Sequence, residues 1–219
     1  MKLTRSLIIG GLLALANVAL GVWGYVYLPA ATTFPINYGV DGQPHALLGK
    51  AAGLQIMPEV AIGILVLLAL IPRLPGRRAG LIASADAYGL LMTSLMALFL
   101  VAEAALITHA IDPSFDVLRW VFLAGAVLLV LVGNTLGKVR HNDFFGVRTP
   151  WTLADARVWD KTHRFTGRVM VLAAAAFAAA SFVIADHALL IIAFILAAAG
   201  PGIVGAVYSW TLRGEARSA

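Results

Sequence analysis

The sequence predicts an all-α integral membrane protein with six transmembrane helices. Of the 219 residues, 61% are hydrophobic and only 12% are charged, whereas about a quarter of the residues of a soluble domain usually carry charge. The polar residues form short islands between long apolar runs. These runs are roughly 20 residues long, which is the length of helix that crosses a hydrocarbon layer of about 30 Å.

The apolar runs define the six predicted spans. The first run is longer than the apolar stretch of a signal peptide and ends in interfacial aromatic residues, so we expect it to be retained as a span. The spans are Leu7–Leu28, Leu54–Leu70, Leu81–Thr108, Leu118–Leu136, Val169–Ala185 and Leu189–Leu212. Asp116 is expected to cap the fourth span. Pro58-Glu59 is expected to interrupt the second span, and Gly200-Pro201-Gly202 to kink or unwind the sixth.

The segment at residues 28–51 is predicted to be an ordered loop. Three prolines prevent a continuous helix there, and the dipeptides Tyr38-Gly39 and Asp41-Gly42 are typical of turns. Hydrophobic residues between the turns indicate several anchors to the rest of the protein. We therefore expect a structured loop and not a flexible linker.

The basic residues predict that both termini are cytoplasmic. With six spans, fourteen of the sixteen Lys and Arg residues fall on the side of the termini, and only Lys50 and Arg119 fall on the opposite side. Cytoplasmic loops carry an excess of basic residues. We therefore predict a protein of the bacterial inner membrane, with residues 28–51 on the outer side and the segment 133–168 in the cytoplasm. The basic excess is better explained by anionic lipid than by nucleic acid, so we predict no direct nucleic-acid binding.

Three stretches resemble one protein family. Gly133-Asn134, the run NDFFGVRTPWTL at 142–153 and the run VWDKTHRFTG at 158–167 resemble the SdpI family of bacterial membrane proteins. The first half of the chain resembles a module of unknown function that is often found upstream in that family. The matching positions are Leu28-Pro29, Pro35-Ile36, Tyr38, Gly42, Pro44 and Lys50. We therefore predict two modules, 1–110 and 111–219.

The resemblance implies a role in immunity and signalling. Family members are named for protection against a secreted sporulation-delaying toxin, and the named member holds a cognate repressor at the membrane when toxin is present. The implied partners are a toxic peptide on the outer side, a cytoplasmic transcriptional repressor and membrane lipid. The oligomeric state is not indicated.

Residues 146–168 carry the motif's local chemistry. Pro150 excludes Thr149 from the α region, Thr152 is expected to be an N-cap, and Asp155 three residues later resembles a capping box. A cytoplasmic interfacial helix is therefore predicted to begin at Leu153 and to run into the fifth span. Trp159 and His163 are expected on one face of it because they are four residues apart.

Two interpretations of this segment stay open. One is a membrane-surface helix with Trp151 and Trp159 at the level of the lipid headgroups. The other is a cytoplasmic docking surface, with His163 expected to be a packed histidine and not a proton switch. The residues assigned to partner binding or signalling are Asn134, Arg148, Thr149, Pro150, Trp151, Thr152, Trp159, Lys161, His163 and Arg164.

Four polar residues lie within predicted spans: Asn17, Glu59, Asp86 and Glu103. Ionisable groups at membrane depth are costly and normally face the bundle interior. Asp86 and Asn134 are expected to meet at the inner end, possible partners being Arg140 or Arg148. Glu59 and Glu103 are matched in depth near the outer end. Asn17 and the Gly200–Gly202 break are further candidates for lining a cavity with them.

The outer carboxylates leave two alternatives to immunity. The first is a small proton-coupled or solute-coupled transporter that uses Glu59, Glu103 and Asp86. The second is an intramembrane enzyme built on Glu103 and His109, for which no motif exists. Outer histidines and aspartates lack metal-site spacing, and the chain has no cysteine. We therefore predict a non-enzyme with no metal and no cofactor.

Overall fold

A computed structural model describes residues 2–39, 42–73, 84–142 and 145–214. Seven α-helices and one β-hairpin make up these residues. The helices are α1 (Lys2–Tyr27), α2 (Lys50–Leu70), α3 (Ala85–Ile111), α4 (Val117–Leu136), α5 (Pro150–Ala154), α6 (Ala156–Ser181) and α7 (His187–Thr211), and the strands are β1 (Thr33–Tyr38) and β2 (Pro44–Gly49). The predicted start of the third span at Leu81, the turn dipeptide at Asp41 and the basic residues Arg77, Arg78 and Arg217 lie outside the described residues.

Among the described residues, five helices are long and apolar enough to cross a membrane. They are Leu3–Tyr27, Lys50–Arg73, Ala85–Ile111, Val117–Leu136 and His187–Thr211. The protein is therefore a helical multi-pass membrane protein. The remaining predicted span, Val169–Ala185, falls in α6, which is not one of the five because its first half carries the polar motif.

The segment 28–51 is ordered, as predicted, and contains a β-hairpin that the prediction did not include. β1 and β2 pair antiparallel from Thr33 opposite Gly49 to Tyr38 opposite Pro44. An isolated two-stranded hairpin is only marginally stable in water, so this one depends on packing. Phe34 is 1% exposed and belongs to a core cluster with Leu28, Leu54, Leu106 and Val117. The hairpin therefore covers one end of α2, α3 and α4.

Glycines set the packing of α1 against its neighbours. Side chains built at Gly10 and Gly24 would contact Met92 and Ile107 of α3, so α1 and α3 run parallel. The same two positions approach Leu65 and Leu54 of α2, which runs in the opposite direction. These three helices form the N-terminal bundle.

A second bundle consists of α4, α6 and α7. At one end, a side chain at Gly133 of α4 would lie 2.9 Å from the carbonyl oxygen of Gly167 in α6. At the other end, Arg119 donates to the carbonyl oxygens of Ser181 and, at 3.0 Å, Ile184. The helices α4 and α6 therefore lie antiparallel and extend between the same two levels.

The helix ends confirm some local predictions and correct others. Asp116 caps α4, as predicted, by accepting a hydrogen bond from the Arg119 amide at 3.1 Å. Pro58 and Pro201, in contrast, lie inside continuous helices, so the predicted interruption of the second span and unwinding of the sixth are wrong. A membrane helix tolerates proline where the surrounding protein accommodates the freed backbone groups. Both prolines are buried.

Candidate functional site: the segment between α4 and α6

The chain between α4 and α6 forms an ordered loop tied to the start of α3. The Arg140 amide donates to the Ser84 hydroxyl at 3.0 Å. The Asn142 side chain donates to the Arg140 carbonyl at 2.8 Å and accepts from the Phe145 amide at 2.9 Å. These bonds satisfy backbone groups that a loop would otherwise leave to water. The described part of the segment is therefore structured before α5 begins.

Trp159 is the centre of the segment's core. Its side chain is fully buried and packs with Ala87, Leu136 and Val139. The indole Nε1 donates to the Val139 carbonyl at 2.9 Å, which satisfies the one polar atom of a buried tryptophan. Trp159 therefore does not present its ring to lipid, because the loop after α4 folds over the ring, and its depth relative to the headgroups stays a prediction.

His163 lies one turn further along α6 and is also fully buried. Its ring stacks on that of Trp159 with centroids 4.0 Å apart, as the spacing predicted. Nε2 accepts from the Val147 amide at 3.0 Å, and Nδ1 lies 2.8 Å from the Trp159 carbonyl. A backbone N–H can only donate, so Nδ1 must carry the proton. Burial lowers the pKa of His163 below its usual value, and the ring is neutral at neutral pH.

The Thr-Pro-Trp-Thr run is a capping box that lies three residues earlier than predicted. Thr149 is the N-cap of α5, Pro150 occupies the first turn, and the Thr152 hydroxyl accepts a hydrogen bond from the Thr149 amide at 2.9 Å. Thr152 also donates to the Val147 carbonyl at 2.8 Å. Thr152 is therefore the third residue of this helix and not its N-cap.

A second cap follows directly. Asp155 ends α5 and caps α6, accepting from the Arg157 amide at 2.7 Å. Hydrogen bonds from the Arg157 guanidinium, at 3.0 Å, and from the Arg157 amide lower the pKa of the Asp155 carboxyl group. The predicted single helix from Leu153 is thus wrong, because two caps divide it into a short helix and a long one.

The segment is also joined to α7 by a contact that the sequence did not indicate. The hydroxyls of Thr149 and Ser209 lie 2.9 Å apart. Ser209 is fully buried and donates to the Ala206 carbonyl at 2.6 Å, so Thr149 is the donor between the two. Ser209 therefore belongs to the candidate site. The sequence provides no reason to select it, because it is a single serine within an apolar run.

The accessible part of the segment is smaller than the predicted docking surface. Thr152, Trp159 and His163 are fully buried, so they shape the segment and do not present side chains to a partner. The partly or fully accessible residues are Asn134, Arg148, Thr149, Pro150, Trp151, Lys161 and Arg164. Arg148, Lys161 and Arg164 make this surface basic.

The four intramembrane polar residues separate into two kinds. Asn17 and Glu103 are buried, with exposures of 0% and 1%, whereas Glu59 and Asp86 are exposed. A contact between Asp86 and Asn134, and a pairing of Glu59 with Glu103, stay predictions. Among the described residues no group of three or more His, Cys, Asp or Glu side chains could hold a metal ion.

His187 and His109 have local partners. His187 at the start of α7 lies 3.3 Å from Asp116 at the start of α4, and the His109 ring lies 2.9 Å from the Phe115 carbonyl. Burial acts to raise the pKa of Asp116, but hydrogen bonds from Arg119 and His187 outweigh it and lower the pKa. These contacts join the ends of neighbouring helices.

The bundle of long apolar helices with one hydrogen-bonded polar segment defines a class, the helical multi-pass membrane proteins. Residues 138–209 match the model of the SdpI/YfhL protein family. These residues, which include α5, α6 and most of α7, are similar to that family.

One curated relative matches most of the chain. The immunity protein SdpI of Bacillus subtilis (strain 168) is 27% identical over 168 residues, which cover 76% of this chain and 77% of that protein. The resemblance predicted from the three sequence stretches is thus confirmed. No solved structure gives a significant match to the chain.

Proposed function

We propose that this chain is an immunity protein that protects a bacterial cell from a secreted toxic peptide. The observation that carries the proposal is the similarity to an immunity protein over about three quarters of both chains. That similarity is supported by the family match over residues 138–209, which include the loop after α4, α5, α6 and most of α7. It gives no support to a transporter, so protection by binding, without a catalytic step, is the function we adopt.

The proposed topology has six spans with both termini in the cytoplasm. We take α6 as the remaining span, although its composition alone does not identify it as one. It runs antiparallel to α4, with Gly167 opposite Gly133 at one end and Ser181 beside Arg119 at the other. The 14:2 distribution of basic residues supports the orientation. The hairpin then faces the outside, the segment faces the cytoplasm, and the two proposed modules, 1–110 and 111–219, meet between α3 and α4.

The absence of cysteine allows a direct test of this topology. Single substitutions Ala30→Cys, Ala154→Cys and Ala185→Cys place one thiol each at exposed positions of an otherwise cysteine-free chain. A membrane-impermeant maleimide added to intact cells should label positions 30 and 185, and position 154 only after permeabilisation. Labelling of position 154 but not of position 30 in intact cells would show that the orientation is the reverse of the one proposed.

We assign different tasks to the two sides. The outer hairpin and the helix ends beneath it meet the toxic peptide, since an external peptide reaches that side first. The segment receives a cytoplasmic partner, which we propose to be a transcriptional repressor, on the basic surface formed by Arg148, Trp151, Lys161 and Arg164. Trp159 and His163 hold this surface in shape, and the same basic residues contact anionic lipid beside it.

Arg148 is the residue with which to test this proposal. The full chain, expressed in a toxin-sensitive bacterium, should raise survival in the presence of the toxic peptide. Arg148→Gln should weaken partner binding about tenfold or more, because a hydrogen bond to a charged group contributes roughly 1.5–3 kcal/mol. The measurement is the fraction of a fluorescent repressor fusion recovered with the membrane during toxin exposure.

The control removes the same charge elsewhere. Arg5→Gln changes an exposed basic residue of α1 on the same proposed side and should leave both survival and repressor recovery unchanged. If the two variants behave alike, the segment has no special role. If the unsubstituted chain protects against no toxic peptide of this kind, the immunity function itself is refuted.

A further inference from the structure

Two buried polar side chains in the N-terminal bundle have no hydrogen-bond partner among the described residues. Glu103 of α3 is 1% exposed with both carboxyl oxygens unbonded, and Asn17 of α1 is fully buried with both amide atoms unbonded. Burial of such groups without compensation costs several kcal/mol. At membrane depth an ionisable side chain usually marks a functional site. The four unbonded atoms therefore indicate a missing ligand.

The helix register brings these two residues together. α1 and α3 run parallel, and a side chain at Gly24 would contact Ile107, while one at Gly21 would lie 3.4 Å from Oε1 of Glu103. Asn17 precedes Gly21 by four residues and so lies on the same face of α1. Side chains of a helix lean toward its N-terminus, which directs Glu103 toward the turn beside Asn17.

A backbone oxygen of α2 completes the set. Proline has no N–H, so Pro58 cannot make the helical hydrogen bond to the carbonyl of Leu54. That carbonyl oxygen lies 3.0 Å from the point that a Cβ on Gly21 would occupy, the same point that lies 3.4 Å from Oε1 of Glu103. Because residue 21 is a glycine, the space between these two oxygens is not filled by a side chain.

We propose that Glu103, Asn17 and the Leu54 carbonyl bind a small monovalent cation, such as Na⁺, between α1, α2 and α3. Carboxylate and carbonyl oxygens suit hard cations, and backbone carbonyls freed at helix irregularities coordinate Na⁺ in other membrane proteins. One carboxylate and neutral oxygens balance a single positive charge. The bound ion joins all three helices of the N-terminal bundle beneath the hairpin.

A cavity gives the ion a path to this position. It has a volume of about 410 Å³, lies between α1 and α2, and is lined by Gly21, Leu54, Pro58 and Glu59 among others. Glu59 is exposed on its wall, and a carboxylate there attracts cations to the opening. Glu59 is a residue of the path and not a ligand.

Thermal unfolding of the purified full chain tests the proposal. In uncharged detergent at about pH 8, where free carboxyl groups are ionised, NaCl is exchanged for choline chloride at constant total salt. A ligand that binds only the folded state raises stability as its concentration exceeds the dissociation constant. We expect a saturable rise of the unfolding midpoint with Na⁺ that choline does not produce. No Na⁺-specific rise would overturn the proposal.

Three variants identify the ligands. Glu103→Gln should abolish the Na⁺-specific rise. Gly21→Ala keeps every charge but places a methyl group between the two oxygens, and should raise the half-saturating Na⁺ concentration about tenfold or more, which corresponds to at least 1.4 kcal/mol. Asp160→Asn, the loss of a part-exposed carboxylate on α6 outside the N-terminal bundle, should keep a rise of the same size. An unchanged rise in Glu103→Gln would overturn the assignment.

Discussion

Replacing Trp159 with alanine is expected to destabilise the protein by about 3–5 kcal/mol, the usual cost of truncating a large buried aromatic side chain. The indole lies against Ala87 of α3, Leu136 at the end of α4 and Val139 in the loop, so its loss opens a cavity where three parts of the chain meet. The His163 ring loses its stacking partner at the same time. We expect the segment to lose its fixed shape, and with it the proposed partner binding.

The measurement is the unfolding midpoint in detergent, together with survival on exposure to the toxic peptide. Trp159→Phe keeps a ring against His163 but removes the donor to the Val139 carbonyl. The lost hydrogen bond is expected to lower the free energy of unfolding by about 0.5–1.5 kcal/mol. Trp23→Ala is the control, because Trp23 is 43% exposed on α1. A midpoint for Trp159→Ala equal to that of Trp23→Ala would contradict the role assigned to the buried ring.

Local signals in the sequence predicted what local interactions decide. Hydropathy located the apolar helices because span length depends on neighbouring residues alone. Asp116 was identified as a cap because the amide it accepts from is three residues away. The error at Thr149 and Thr152 has the same origin. Both threonines are suited to an N-cap, and each is followed three residues later by a polar side chain, Thr152 or Asp155. The sequence is therefore compatible with two overlapping helix starts.

Contacts between distant parts of the chain account for what the sequence did not predict. The hairpin forms because Phe34 is buried against Gly53 and the cluster around Leu54, and no pattern within residues 28–51 contains that information. The Trp159–His163 stack follows from helical spacing. The other contacts of the segment do not, since the Val147 amide binds His163 from the loop, the Ser209 hydroxyl binds Thr149 from α7, and the Ser84 hydroxyl binds the Arg140 amide from just before α3.

Gly146→Ala is expected to disrupt the segment without changing its charge or its polar side chains. Gly146 has a φ of +121°, a conformation that L-residues adopt only with strain of about 1–3 kcal/mol. A Cβ there would also collide with the His163 ring at Nε2 and lie 3.2 Å from Cδ2. Relief of that collision moves either the ring or the Val147 amide that donates to it, so the cost exceeds the backbone strain alone.

This variant separates the shape of the segment from its composition. A lower unfolding midpoint and reduced recovery of the repressor with the membrane, with Arg148, Trp151, Lys161 and Arg164 all present, would show that these residues act only when the backbone holds them. Gly200→Ala is the matched control, since a Cβ at that position of α7 has no heavy atom within 4 Å. Equal behaviour of the two variants would mean that the charges suffice, and that the buried pair of Trp159 and His163 serves stability alone.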